Sequence, residues 1–329
     1  MRRPLYIRKR RRGRCPHRPV VFAALRGFRR VDLGIDPYGY ASIFVLRPPL
    51  LYSMKLKKVY LEITNICNLA CAFCPGTRRE PHMLSREEFS VLAEKIRPHA
   101  DYLYFHLMGE PLLHPLLGEF LEIAGALGFQ VMITTNGTLL PEKGDILCAS
   151  PALLKVNISL QSFEANSAGA LGDYLDACIA FAEQANAAGK RCEFRLWNHN
   201  GLESLNPEIE ARLADAFPKP WKKSREGWKL RENLWLEPGE HFDWPGLDAH
   251  DRGERCFCYG LRDQVGVLCD GTVVPCCLDH EGDIPLGNLF TRSLEEILES
   301  DRAGAIRNGF SERRAVEALC RRCGYARRF

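Results

Sequence analysis

Val59-Tyr-Leu-Glu-Ile-Thr64, followed by Cys67-Asn-Leu-Ala-Cys71-Ala-Phe-Cys74, decides how the rest of the chain is read. Residues 59–64 alternate in side-chain character, the period-two signal of a strand. Three thiols at C-x3-C-x2-C spacing then sit where that strand ends. Soft thiolates this close together select zinc, copper(I) or an iron–sulfur cluster. A structural zinc site needs a fourth ligand, for which His82 is the nearest candidate.

Working outward, strand-like and helical segments alternate. Ser85-Arg-Glu-Glu88 is a capping box opening a helix with Phe89, Leu92 and Ile96 on one face. Tyr102–Leu107 reads as the second strand and Leu116–Leu127 as a helix closed by Gly128. Gln130–Thr135 and Leu154–Leu160 are the third and fourth strands. Asp173–Ala188 forms an amphipathic helix ended by Gly189, and Arg191–Trp197 is the fifth strand. Pro207–Phe217 and Asn233–Leu236 add one more helix and strand. Helices between successive strands imply a parallel sheet, here of about six strands and so short of a closed eight-fold barrel. Polar and glycine signals mark the strand ends: Met108-Gly-Glu-Pro111, Thr135-Asn136-Gly137 and Ser159-Leu-Gln161. In such α/β folds the carboxyl ends of the strands form the active face.

The chain of 329 residues carries 14 Cys, and all but Cys15 follow Met54. Cys256, Cys258, Cys269, Cys276, Cys277, Cys320 and Cys323 crowd the last quarter. Cys148, Cys178 and Cys192 are isolated and read as small packing residues. No run of apolar residues is long enough to span a membrane. The net charge of +4 conceals a division. Residues 1–53 hold 13 Lys+Arg and 2 Asp+Glu, whereas the other 276 residues hold 32 and 39. That leader could be a targeting segment, a basic arm for nucleic acid, or sequence upstream of a start at Met54. We set it aside as 1–53, giving a core at 54–245 and a C-terminal domain at 246–329. The acidic remainder gives no reason to expect a nucleic-acid partner.

The first cysteine loop, with Phe73 before its third Cys and Gly109-Glu110-Pro111 after the second strand, resembles the radical S-adenosylmethionine (radical SAM) enzymes. The resemblance implies a partial (β/α)6 TIM-type barrel. It also implies a 4Fe–4S cluster on Cys67, Cys71 and Cys74 whose open iron binds S-adenosylmethionine. Gly109 and Glu110, followed by Pro111, would receive the methionine ammonium. Asn136 and Ser159 would face the ribose or carboxylate, with Gln161 a lesser candidate, and Arg195 would pair with the carboxylate. Cys258-x12-Gly271-x4-Cys276 and Cys320-x2-Cys323 resemble the auxiliary-cluster region called SPASM, or twitch when shortened. In it, Cys269-Asp-Gly-Thr-Val-Val-Pro-Cys276 reads as a hairpin turning at Asp-Gly. Six residues follow Cys323, so one auxiliary 4Fe–4S cluster is expected, on Cys258, Cys276, Cys320 and Cys323. Cys256 is the alternative to Cys258. Cys276 and Cys277 would point to opposite faces of their strand.

The implied activity is reductive cleavage of S-adenosylmethionine and hydrogen abstraction from a peptide, protein or small molecule. A net oxidation assisted by the auxiliary cluster is expected, with a flavodoxin- or ferredoxin-type electron donor and a cytoplasmic location. Against this stand a non-catalytic iron–sulfur electron carrier, an RNA-binding protein, and a C-terminal zinc ribbon in place of the second cluster. Catalytic acid–base residues are not assigned. The tryptophan-rich stretch 218–250 is either core or a cavity wall.

Overall fold

The computed structural model describes residues 55–166 and 169–328; the basic leader, with Cys15, lies outside the described residues. Strands β1 (Lys58–Leu61), β2 (Tyr102–Phe105), β3 (Gln130–Thr135), β4 (Leu153–Ser159) and β5 (Arg191–His199) pair in sequence order, each parallel to the next. A hairpin of β6 (Lys222–Ser224) and β7 (Gly227–Arg231) follows. It leads into β8 (Leu234–Glu240), which runs parallel to β5. These are the six parallel strands expected for a partial barrel.

The sheet does not stop at β1. β9 (Gln264–Val267) lies parallel to β1, and β10 (Thr272–Val274) and β11 (Gly287–Asn288) continue it antiparallel. The C-terminal hairpin therefore extends the barrel sheet itself, across the boundary drawn at 245/246. It also begins earlier than read: its strands are β9 and β10, and Cys269 sits in the turn between them.

Between successive strands from β1 to β5 the chain forms helices whose apolar faces cover one side of the sheet. Helix α1 (Arg86–Ile96) starts at Ser85, whose side chain accepts from Glu88 N while Glu88 returns to Ser85 N. It buries Phe89, Leu92, Ala93 and Ile96. Phe89 stacks on Phe120 of α2 (Leu117–Ala126) at 4.2 Å and meets Phe105 of β2 edge-on at 5.7 Å. One ring thus ties two helices to a strand. Helix α3 (Leu140–Ala149) was missed because Pro141 and Gly144 break its periodicity. Gly144 lets the next long helix, α4 (Leu171–Ala187), pack closely: a Cβ would stand 3.1 Å from the Phe181 ring.

The strands' other face is polar where sequence alternation turns it inward. On β4, Val156 and Ile158 are fully buried, while Lys155, Asn157 and Ser159 line a cavity. On β5, Phe194 and Leu196 are buried and Arg195 and Trp197 line it. Period-two geometry thus makes a helix-facing apolar layer and a polar lumen from the same strands. Phe89→Ala should lower stability by about 3–5 kcal/mol, because the vacated space is walled by three elements that cannot collapse. The urea midpoint measures this; a loss below about 1 kcal/mol would show the aromatic cluster to be incidental.

Candidate active site

A cavity of about 1100 Å³ opens at the carboxyl ends of the strands and runs into the barrel lumen. Cys67, Cys71 and Cys74 line it, with Phe73 beside them. The cysteine loop is shaped by bonds to its neighbours. Cys74 N donates to Cys71 O at 2.9 Å, and Leu69 N approaches Cys67 Sγ at 3.5 Å. Asn166 Nδ2 donates to Cys71 Sγ at 3.0 Å and Asn136 Nδ2 reaches Cys67 Sγ at 3.9 Å. Burial raises all three thiols above their ordinary range. Loss of the proton there calls for a compensating cation.

Gly109 holds the second loop against the first. Its φ of +76° lies in the left-handed region, and a Cβ would fall 2.4 Å from Thr64 O and 2.8 Å from Ile66 O. The next amide, Glu110 N, donates to Ile66 O at 2.9 Å. Met108 and Gly109 line the cavity; Glu110 does not. This corrects the expectation for Glu110. Its carboxylate turns inward and accepts from Leu112 N (3.0 Å), Thr135 Oγ1 (2.7 Å) and Asn136 N (2.7 Å). Burial raises it to about 6 in spite of these donors. Pro111 is buried at the head of a short helical turn. The part of the motif that faces the cavity is main chain.

Asn136 departs from expectation in the same way. Its Nδ2 donates to Asn68 Oδ1 at 2.8 Å and its Oδ1 accepts from Thr138 N and Oγ1, so its amide braces the cysteine loop. Arg195 lines the cavity, but its Nε already donates to Glu237 Oε2 at 3.0 Å, and it stacks over Trp197 at 4.6 Å. Ser159 lines the cavity. Two acceptors are orphaned there: Asn157 Oδ1 and Gln161 Oε1 are buried with no hydrogen-bond partner, and both residues line the cavity. Such groups are costly unless a ligand donates to them. Asn157 was not foreseen; its place between Lys155 and Ser159 on the polar face of β4 was the signal.

The C-terminal thiols gather beside this cavity. Cys256, Cys258, Cys276, Cys320 and Cys323 line a small second cavity walled by Ile284, Phe310 and Leu319. Burial is the main cause that raises Cys258, Cys276 and Cys320, and each also feels neighbouring thiols. Cys258, Cys276 and Cys323 line the large cavity too, whereas Cys256 does not. Cys277 lines the large cavity and not the small one, and both it and Cys276 follow the end of β10 at Val274. A mononuclear zinc site needs four donors about 2.3 Å from one point. Among the described residues no group of three or more Cys, His, Asp or Glu is arranged to hold one metal ion. Asp279 is held in a turn by Asp283 N and Ile284 N. Of the tryptophans in 218–250, Trp244 walls the large cavity, Trp235 is core and Trp228 is exposed.

Both halves are joined by Glu62, buried at the end of β1. It accepts from Arg79 Nη1 and Nη2 (2.7 and 2.6 Å), from Met108 N (3.2 Å) and from Cys269 N (3.1 Å).

Family models match this layout: "Radical SAM superfamily" over residues 61–212, and SPASM, "Iron-sulfur cluster-binding domain", over 256–324. The chain carries a radical SAM domain and, C-terminal to it, a SPASM domain. Its cofactors are therefore S-adenosylmethionine, the 4Fe–4S cluster that binds it, and an auxiliary iron–sulfur cluster. The tungsten-containing aldehyde ferredoxin oxidoreductase cofactor-modifying protein of Pyrococcus furiosus is 36% identical over 27% of this chain and 26% of its own length. A probable GTP 3′,8-cyclase of Methanocella arvoryzae is 33% identical over 34% of this chain and 37% of its own. The chain thus spans only about a quarter to a third of these relatives. The solved structure of native anSMEcpe with bound AdoMet and Kp18Cys peptide shares the fold, at TM-score 0.55 and 14% identity over 81% of this chain and 88% of that one.

Arg79→Met should cost about 3–5 kcal/mol, since it strands a buried carboxylate. Adding Glu62→Gln should return part of that loss, as a urea-denaturation double-mutant cycle would show. Strict additivity would mean that the pair does not couple.

Proposed function

We propose that this radical SAM enzyme carries out a two-electron oxidation of a peptide, protein or small-molecule substrate. Cys67, Cys71 and Cys74 hold the cluster that binds S-adenosylmethionine. Cys258, Cys276, Cys320 and Cys323 hold one auxiliary cluster, with 246–329 its domain and 54–245 the catalytic core. The observation that carries this reading is a single cavity lined by thiols of both groups. When bound, the cofactors supply one-electron chemistry: an electron that cleaves the sulfonium to release a 5′-deoxyadenosyl radical, and an acceptor for the electron a substrate radical gives up.

The chain's own residues do the rest. The main chain at Met108–Gly109 faces the position of the methionine group, and the orphaned Asn157 Oδ1 and Gln161 Oε1 are placed to accept from ribose hydroxyls or the ammonium. Phe73, Phe242 and Trp244 wall the cavity and offer apolar surface to its occupants. The volume supports a second occupant, because about 1100 Å³ exceeds the roughly 300–1,000 Å³ of an ordinary single-ligand pocket. The reductant is a flavodoxin- or ferredoxin-type donor. Among the described residues no helix is long and apolar enough to cross a membrane, and a cytoplasmic site of action fits thiols kept reduced.

Protein reconstituted without oxygen should bind about eight irons per chain. Dithionite reduction should yield 5′-deoxyadenosine, raised further by the right member of a panel of short peptides and polyols. Cys67→Ala/Cys71→Ala/Cys74→Ala should leave about four irons and no 5′-deoxyadenosine. Cys276→Ala/Cys320→Ala should lose the other four while retaining cleavage. No cleavage by fully loaded protein would favour a non-catalytic electron carrier, and about four irons plus one zinc would favour a C-terminal zinc ribbon.

A further inference from the structure

Histidines that serve packing satisfy their ring nitrogens, as His114 does. Its Nε2 meets Leu84 O at 3.1 Å, and its Nδ1 accepts from Leu116 N at 3.1 Å. His106 differs. It directly follows β2, four residues ahead of Glu110, and it lines the large cavity. Among the described residues no hydrogen bond reaches its imidazole, whose ring neighbour is Tyr60 at 5.6 Å. An unbonded imidazole in a cavity that also holds the cluster thiols is free to take a hydrogen bond from an occupant of that cavity.

We propose that His106 is the proton acceptor of the substrate half of this cavity, taking the hydrogen bond and then the proton of an O–H or N–H group on the carbon under attack. The proposal rests on the two-electron oxidation argued above, and it names the substrate class: an alcohol or amine bearing a hydrogen on the same carbon. For an alcohol, the C–H bond breaks homolytically and its hydrogen atom leaves on the 5′-deoxyadenosyl group. The carbon radical gives one electron to an iron–sulfur acceptor. The O–H proton passes to His106 as the C=O bond forms. Two electrons and two hydrogens leave the substrate, and the balance closes. Loss of the electron makes that O–H strongly acidic, so a weak base suffices.

The surroundings keep the imidazole in its accepting form. Burial, then the cations Arg195 from β5 and Lys58 from β1, push it down to about 3. Lys58 sits over the Tyr60 and Tyr104 rings, at 4.9 and 5.0 Å, and among the described residues has no ion-pair partner. The other charged groups on this stretch of wall are paired: Lys155 with Glu193, Arg195 with Glu237, and Asp263 with Lys57 and Arg262. The thiol of Cys277 also lines it. No carboxylate is therefore left to raise His106, and the neutral form persists from pH 5 to 8.

The first test needs no substrate. Full-length reconstituted protein is treated with diethyl pyrocarbonate, which acylates only neutral imidazole, and carbethoxylation is mapped by mass spectrometry from pH 5 to pH 7. The rate at His106 should change less than about twofold. The rate at exposed His199, which Glu203 holds above the ordinary range, should climb more than about tenfold. Saturating S-adenosylmethionine should leave His106 reactive. A His106 rate that climbs with His199, no modification, or full protection by S-adenosylmethionine overturns the proposal; the last would place His106 on the cofactor. The second test uses the panel compound that stimulates turnover. His106→Asn should lower kcat by about 10²–10⁴-fold with KM little changed, and an unchanged kcat overturns the assignment. If fully loaded protein never cleaves S-adenosylmethionine, the enzyme reading fails whatever His106 does. If cleavage proceeds and these tests fail, only the role of His106 falls.

Discussion

The carboxylate of Glu62 is the point on which the two halves of the molecule depend. A buried carboxylate is several kcal/mol out of favour unless its lone pairs are filled. Here four donors fill them, and they come from three separate segments: Arg79 after the cysteine loop, Met108 before the glycine–glutamate–proline motif, and Cys269 in the C-terminal hairpin. Moving any one of these segments uncovers charge in a dry interior. Arg79 also donates to His280 O at 2.8 Å, extending the same tie toward the second thiol group. The parallel pairing of β9 with β1 fixes the register of the hairpin, and Glu62 locks its turn. Two thiol clusters far apart in sequence are thereby set against one cavity.

The lumen is the second constraint. A parallel sheet covered on both faces ordinarily carries apolar side chains on both. Here the helix face obeys that rule and the inner face does not. Lys155 with Glu193 and Arg195 with Glu237 are ion pairs across neighbouring strands, each partly shielded from water. Such pairs rarely stabilise more than an apolar substitute of equal volume. Their presence in a core position is a local violation of the folding rules, which is where function is sought.

This division explains what was legible in the sequence. The strands, the capping box at Ser85 and the spacing of the first three thiols are local signals, each contained within a few residues. The partners of Glu62 lie 17, 46 and 207 residues away, so no window contains them. The strand-end polar residues were found, but their direction was not. Alternation says that Asn136 and Glu110 lie near the active face, yet a side chain with a nearby main-chain donor turns to it. Glu110 finds two such donors, Leu112 N and Asn136 N, together with the Thr135 hydroxyl, and Asn136 braces Asn68 through its side chain. Asn157 and His106 carry no motif, and only their unfilled hydrogen-bonding capacity distinguishes them.

That reversal has a physical logic. A side chain that contacts a ligand directly must be held by something else, whereas main chain that contacts it is already held by the fold. Gly109 can bring its backbone to the cavity only because it lacks a Cβ and because Glu110 N is anchored on Ile66 O. The Glu110 carboxylate then ties Leu112, Thr135 and Asn136 together, and Asn136 in turn steadies the cysteine loop. The acid works one layer behind the surface that meets the ligand. Its burial raises it to about 6 in spite of these donors, so the fold favours the protonated acid and gains stability as pH falls from above 6 toward the ordinary carboxylate range.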